Sequence, residues 1–259
     1  MSHDIQDILT TWDYDPDGFT VRIIRGDDGK EKIQLRLDLG LLQMEVDGRP
    51  DGLRPQGCES WLDYYQREQE VYQEEHPGET YLLGSEDCAR LLREGVQYYH
   101  RYLSFWHLER YELCARDTAR NLRLFALVRA HAPSDREKLQ FDQWRPYVVM
   151  MHARAVATPL IGMRDFDTAL QVIDAGIAGV REFLSDYNQE HRSEQCQELV
   201  QLERWRTEVV DKKKSAEREQ PYHPLTALRR KLEQAVAEER FEEAAELRDE
   251  IRKLEASSL

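Results

Sequence analysis

Cysteines are few, and none of them are paired at metal-binding spacing. The chain of 259 residues has four, Cys58, Cys88, Cys114 and Cys196. Zinc ribbons and disulfide frameworks need closely spaced pairs or a dense pattern of cysteines, so we expect neither. Isolated thiols are typical of a reducing compartment, and they favour a cytoplasmic protein.

Long apolar runs are missing as well. The most apolar window, residues 147–163, is interrupted by His152, Arg154 and Pro159. It is also shorter than the roughly 20 apolar residues that a membrane-spanning helix needs. The N-terminal residues lack the basic and apolar regions of a secretory signal. The sequence therefore predicts a soluble protein with no membrane partner.

Motifs for catalysis, cofactors or metals are not found. The chain has no GxxxxGK[ST] or GxGxxG phosphate loop and no HExxH metal site. His100 and His107 fall about two turns apart in one predicted helix. Such histidines are more often partly buried structural residues than metal ligands. We predict no catalytic residue, no cofactor and no metal, and hence a protein that is not an enzyme.

Positive charge is scarce relative to negative charge. Lys and Arg number 36 against 50 Asp and Glu, for a formal net charge of -14. Proteins that bind nucleic acid over a broad surface usually have a basic face, so this balance disfavours such a surface but not a local basic site. Hydrophobic residues make up 41% of the chain, which suits a folded protein.

Residues 1–56 hold the strand-like part of the sequence. Apolar and polar residues alternate through residues 19–23, 33–37 and 42–46, and turn-forming residues occupy 26–29. This period of two predicts a three-stranded antiparallel meander with one apolar face. So small a sheet is marginal alone, and we expect it to pack on the helices that follow.

Residues 57–215 are patterned as helices and predict a helical bundle. Ser85 is the expected N-cap of a stretch that runs to residue 132, as one long helix or as two helices broken near Ser104. Residues 165–186 give the cleanest amphipathic pattern. The start of that pattern resembles a tetratricopeptide helix, but no second copy occurs at the expected period.

Two clusters in this body each allow two interpretations. Arg116, Arg120 and Arg123 recur at helical spacing and form a basic ridge. The ridge either receives an anion or an acidic partner helix, or pairs with carboxylates of neighbouring helices, which the acidic composition favours. A set of aromatic residues either packs in the core, the favoured interpretation, or lines a groove: Tyr98, Tyr99, Tyr102, Phe105, Trp106 and Tyr111.

Residues 216–259 contain two short amphipathic runs that predict a helical hairpin. The runs lie on either side of Glu238-Glu239-Arg240, which is long enough only for the turn of an antiparallel pair. Ala244 and Ala245 place small side chains where the second helix crosses the first. Such a hairpin buries only a thin seam, and an apolar edge left in water favours association.

The second run, R-F-E-x-A-A-x-L-R-D-x-I after a leucine-rich first helix, closely resembles the UVR domain, or UvrB/UvrC motif. In that family the hairpin docks proteins: it joins subunits of excision-repair nucleases and occurs in adaptors and activators of protein degradation. Activators of that kind carry zinc-binding cysteine pairs, which this chain lacks. The resemblance implies a protein partner bound through Leu225, Leu228, Leu232, Val236, Phe241, Ala244, Leu247, Arg248, Ile251 and Leu254.

Together these patterns predict a mainly α protein with a small N-terminal β-meander, a helical-bundle body and a C-terminal UVR-like hairpin. The expected function is that of a non-enzymatic adaptor, which docks a protein partner or a second copy of itself through the hairpin. Two alternatives stay open. One is a nucleic-acid repair accessory protein, which the acidity disfavours, and the other is an enzyme with an unrecognised helical active site.

Overall fold

The computed structural model describes residues 4–219, 224–238 and 240–257, and the chain forms two compact units, Met1–Val209 and Val210–Leu259. The predicted mainly α fold with a small N-terminal sheet is confirmed. The boundaries predicted after residues 56 and 215 stay predictions. In the described ranges, no helix combines the length and apolar character needed to cross a bilayer. The helices there are α1 (Gln6–Thr11), α2 (Trp61–Glu75), α3 (Ser85–His107), α4 (Tyr111–His131), α5 (Asp135–Asp142), α6 (Arg145–Gly162), α7 (Phe166–Asp186), α8 (Gln197–Glu219), α9 (Pro224–Ala237) and α10 (Phe241–Ser257).

The sheet is the antiparallel meander that the alternation predicts. Its strands, in spatial order, are β1 (Val21–Arg25), β2 (Glu31–Leu37) and β3 (Gly40–Glu45). Across the sheet, Ile33 lies opposite Ile23 on one side and Met44 on the other. Ile33 and Met44 are buried in a hydrophobic core that also includes residues of α3, α4, α6, α7 and α8. The apolar face of the sheet thus packs on the helical body.

The stretch from residue 85 to residue 132 is two helices, and the break falls later than the Ser104 position considered from the sequence. The chain turns at Leu108–Arg110, where Glu109 has a left-handed φ of 56°. The N–H of Arg110 donates to the carbonyl of Phe105 at 2.8 Å, which closes the end of α3. A left-handed residue at a helix end is usually glycine. Because the chain uses a glutamate there, the break carries no glycine signal.

The N-cap of α5 is the residue that the sequence predicts, and the N-cap of α3 is not. The Ser134 hydroxyl accepts from the Glu137 N–H at 3.3 Å and caps α5. The expected N-cap at Ser85 is wrong, because Ser85 is the first helical residue and Gly84 is the cap. A carboxylate oxygen of Asp87 accepts from the Gly84 N–H at 2.9 Å, so an acidic residue one turn later makes the capping contact.

Buried ion pairs hold the end of the sheet against α3 and α4. The guanidinium of Arg101 forms two hydrogen bonds with Asp117, of 2.6 and 3.0 Å, and both side chains are 1% exposed. Its remaining Nη1 donates to the carbonyls of Glu45 and Gly48 at 2.9 and 2.8 Å. Arg101 therefore joins α3, α4 and the loop after β3 through one side chain.

A second buried carboxylate, Glu94 of α3, caps a different helix. Its oxygens accept from the backbone N–H groups of Trp61 at 2.8 Å and Leu62 at 3.1 Å, the first two residues of α2. Glu94 is fully buried and also forms ion pairs with Arg120 and Arg49. Because the start of a helix carries partial positive charge, this carboxylate is stabilised by the α2 dipole and by two arginines.

Candidate protein-binding site

Helices α9 and α10 form the predicted hairpin around a small apolar seam. Ala235 is fully buried, and Ala244 and Leu247 are 7% and 9% exposed. Leu228 and Leu232 are partly buried against these residues. The alanines let the two helices approach closely and the leucines fill the space along the seam, as the spacing of small and large residues predicts.

A backbone hydrogen bond and ion pairs stabilise the turn between the helices. The N–H of Arg240 donates to the carbonyl of Ala235 at 2.8 Å. The Arg240 guanidinium lies 2.6 Å from a carboxylate oxygen of Glu238 and 2.5 Å from one of Glu243. The Gln234 amide, which donates to Glu238 at 3.0 Å, and Arg240 both lower the pKa of Glu238. Glu239 lies outside the described residues.

Two large apolar side chains remain exposed next to this turn. Val236, near the end of α9, is 52% exposed, and Phe241, the first residue of α10, is 68% exposed. We call this pair the hairpin tip. Glu242 and Glu243 follow directly in α10 and are exposed as well. The tip is therefore an apolar site beside acidic side chains.

The residues predicted to bind a partner separate into two groups. Ala244, Leu247 and Ile251 are buried, and Leu228, Leu232 and Leu254 are partly buried. Val236, Phe241 and Arg248 are exposed and accessible to another molecule. The side chain of Leu225 lies outside the described residues. The buried group shapes the hairpin, while the binding role of every residue in both groups stays a prediction.

Comparison with known proteins bears on this segment. Residues 224–257 match the family model of the UvrB/uvrC motif. No curated protein and no solved structure matches the chain. The match covers α9 and α10, so the UVR motif coincides with the hairpin. UVR motifs are known in DNA repair and in protein interaction.

The predicted arginine ridge is largely engaged within the chain. Arg120 is buried and pairs with Glu94. Arg116 lies 2.8 Å from Asp47 and also donates to a carboxylate oxygen of Asp117 at 3.1 Å. Arg123 is exposed on the same helix. Intramolecular pairing, the favoured interpretation, thus describes Arg116 and Arg120, and the three residues do not share one exposed surface.

The aromatic cluster combines both interpretations that the sequence allowed. Tyr98, Tyr102 and Phe105 are buried, at 6%, 1% and 1% exposure. Tyr99 is 38% exposed, and Tyr99 and Tyr102 line a cavity in the body. Sequence reasoning did not place the residues that later parts of the chain bring to its wall: Phe125, Phe141, Trp144, Tyr147 and Val148.

Proposed function

We propose that this protein is a non-enzymatic adaptor that docks a protein partner through the tip of its UVR hairpin. The observation that carries the proposal is the exposure of Val236 and Phe241 beside a seam that is already filled. Burying a phenylalanine side chain stabilises a complex by about 1.5–3 kcal/mol. An exposed aromatic residue is suited to anchor a complex in a pocket of another protein, because aromatic side chains are enriched in the cores of interfaces.

The surroundings of the tip indicate the kind of partner. Glu242, Glu243 and Glu246 are exposed in the first turns of α10. Apolar anchors in interfaces are commonly surrounded by a polar rim, whose charges select the partner and its orientation. We therefore expect a helical partner, a second hairpin or a coiled coil, with an apolar groove flanked by Lys or Arg.

The adaptor proposal is tested by charging the tip while keeping its fold. Phe241→Asp in the full-length chain should abolish capture of the partner, because the carboxylate would have to be desolvated in an apolar groove. Affinity capture read by mass spectrometry, with light scattering to detect self-association, measures the effect. Leu39→Asp is the matched control, since Leu39 is 88% exposed in the turn between β2 and β3.

The expected result is a specific partner, or a dimer, that wild type and Leu39→Asp retain and Phe241→Asp loses. Circular dichroism should show the same helix content in all three proteins, because Phe241 is largely exposed. If Phe241→Asp captures the same proteins as wild type and keeps the same mass in solution, the tip is not the docking site.

The family match also supports a second candidate, an accessory role in nucleic-acid repair, because UVR motifs are known in that context. Direct contact with DNA would release counterions, so binding would weaken steeply as salt increases. Titration of single-stranded and damaged duplex DNA at low and high salt separates the candidates. A purely protein-docking role gives no binding to either DNA at low salt.

A further inference from the structure

The helical body contains an apolar cavity of ≈ 440 Å³ that the proposed docking function does not use. Residues of α3, α4, α5 and α6 and the residue before α6 line it. Among the described residues around it, none is Asp, Glu, Lys or Arg, although these types make up 33% of the chain. Six aromatic side chains contribute to the wall: Tyr99, Tyr102, Phe125, Phe141, Trp144 and Tyr147.

A buried glycine in the middle of α3 keeps this space open. A Cβ atom placed on Gly95 would meet nothing within 4 Å apart from its chain neighbours and the backbone of its own helix, even though the residue is buried and lines the cavity. Gly176 of α7 differs, because a Cβ there would lie 2.8 Å from the Cβ of Ala153. Close helix packing thus explains Gly176 but not Gly95. A glycine inside a helix destabilises the helix by about 1 kcal/mol relative to alanine. At Gly95, the missing side chain leaves room in the cavity.

The two most polar side chains of the wall are held without net charge. Asn121 donates to the carbonyl of Gly95 at 3.0 Å, and its oxygen accepts from Arg120 at 3.2 Å. Burial lowers the pKa of His100, so its imidazole is neutral at pH 7. A charged ligand would find no counter-ion in this wall and would lose its hydration. A neutral ligand has an imidazole available for hydrogen bonding.

We propose that this cavity binds an uncharged, ring-containing small molecule. A dry apolar cavity of about 150 Å³ holds one benzene, so the space here suits about two or three rings. Three large side chains of the wall are partly open to solvent, Val96 at 47%, Tyr99 at 38% and Trp144 at 56% exposure, and they give a ligand its entry. Offset stacking of the ligand on these and the deeper rings supplies orientation.

The test uses the full-length protein and the neutral probe N-phenyl-1-naphthylamine. We expect its fluorescence to rise on saturable binding, with one probe per chain by calorimetry. The anionic probe 1-anilinonaphthalene-8-sulfonate should bind more weakly, because its sulfonate has no partner in the wall. Failure of the neutral probe to bind saturably overturns the proposal.

Variants then place the probe in the cavity. Gly95→Leu fills the space above α3 and should weaken binding by at least about tenfold. Gly162→Leu is the matched control, because Gly162 is also a helical glycine with nothing within 4 Å but is exposed outside the cavity. Tyr99→Leu, at an exposed position of the wall, should weaken binding without unfolding the protein. Thermal melts check that each variant is folded.

Equal affinity of wild type and Gly95→Leu for the probe, with both proteins folded, contradicts the proposal. A second outcome also contradicts the proposal: the wild-type protein does not bind the neutral probe, and Gly95→Leu loses protein capture. In that case the cavity receives a side chain of a partner protein.

Discussion

The body and the hairpin are stabilised in opposite ways. The body buries charged side chains completely, with Glu94 at 0% exposure and Arg101 and Asp117 at 1%. The described charged residues of the hairpin are all exposed, and its core is a short row of alanine and leucine. Many buried hydrogen bonds and ion pairs fix the body in a single packed arrangement. Two helices that share only a short apolar seam are marginally stable alone. The difference supports the proposal that the hairpin, and not the body, docks a partner.

Removing the buried carboxylate Glu94 should have the largest effect. Glu94→Ala leaves Arg120 and Arg49 without their buried counter-charge and the first N–H groups of α2 without an acceptor. We expect a loss of about 3–5 kcal/mol in the free energy of unfolding, measured by urea denaturation.

The matched control for Glu94→Ala is Glu203→Ala. Glu203 lies 2.7 Å from Arg181 in an ion pair whose side chains are 45% and 63% exposed. Exposed pairs of this kind contribute about 0–1 kcal/mol. If both variants lose the same free energy, the buried network does not distinguish the body.

Shortening a seam residue should unfold the hairpin selectively. Leu247 is 9% exposed and packs with Ala235 and Ala244, so Leu247→Ala should cost about 2–5 kcal/mol. Two short helices do not retain their structure after such a loss. Hydrogen exchange should then become fast in α9 and α10 and stay slow in α3 and α4. Glu246→Ala, at an exposed neighbour, should leave both regions protected; loss of protection in α3 and α4 by Leu247→Ala would contradict separate stabilisation.

Acid should weaken the body by a smaller amount, through its histidines. Burial lowers the pKa of His152 below its usual 6.5, partly offset by a hydrogen bond to the backbone of Ala115, and its Nδ1 lies 3.0 Å from the Thr118 hydroxyl. The unfolded chain therefore binds more protons once the pH falls below 6.5. The contribution of His152 to stability is complete above that pH and is lost as the pH falls toward the folded-state pKa.

His152→Gln should accordingly lose less stability than wild type between about pH 7.5 and about pH 5.5. Urea denaturation at the two pH values measures the difference. The UVR motif, residues 224–257, contains no histidine, so its own unfolding should not show this dependence. An identical pH response of wild type and His152→Gln would show that His152 titrates alike in both states.

Elements with a local periodic signal were predictable from the sequence. The alternation in residues 19–46 gave the meander, and the apolar spacing around Ala235 and Leu247 gave the hairpin and its seam. In both cases the deciding interactions lie within a short stretch of chain, so the hydrophobic pattern and the turn residues determine them together.

Features made by distant residues were not predictable in this way. The break at Glu109 has no glycine or proline to mark it, and helical spacing of Arg116 and Arg120 does not reveal the carboxylates that pair with them. The cavity needs rings from four helical elements, which are spread along the chain between Tyr99 and Tyr147. The exposure of Phe241 likewise depends on which faces of α9 and α10 pack together to form the seam.

The capping of α2 by Glu94 has a consequence for the order of folding. The acceptor for the Trp61 N–H lies 33 residues further along the chain, so the start of α2 completes this contact only when the middle of α3 packs against it. We therefore expect the first turn of α2 to become stable only when α3 has formed. Pulse-labelling of backbone amides during refolding should show Trp61 and Leu62 becoming protected in the same phase as the centre of α3.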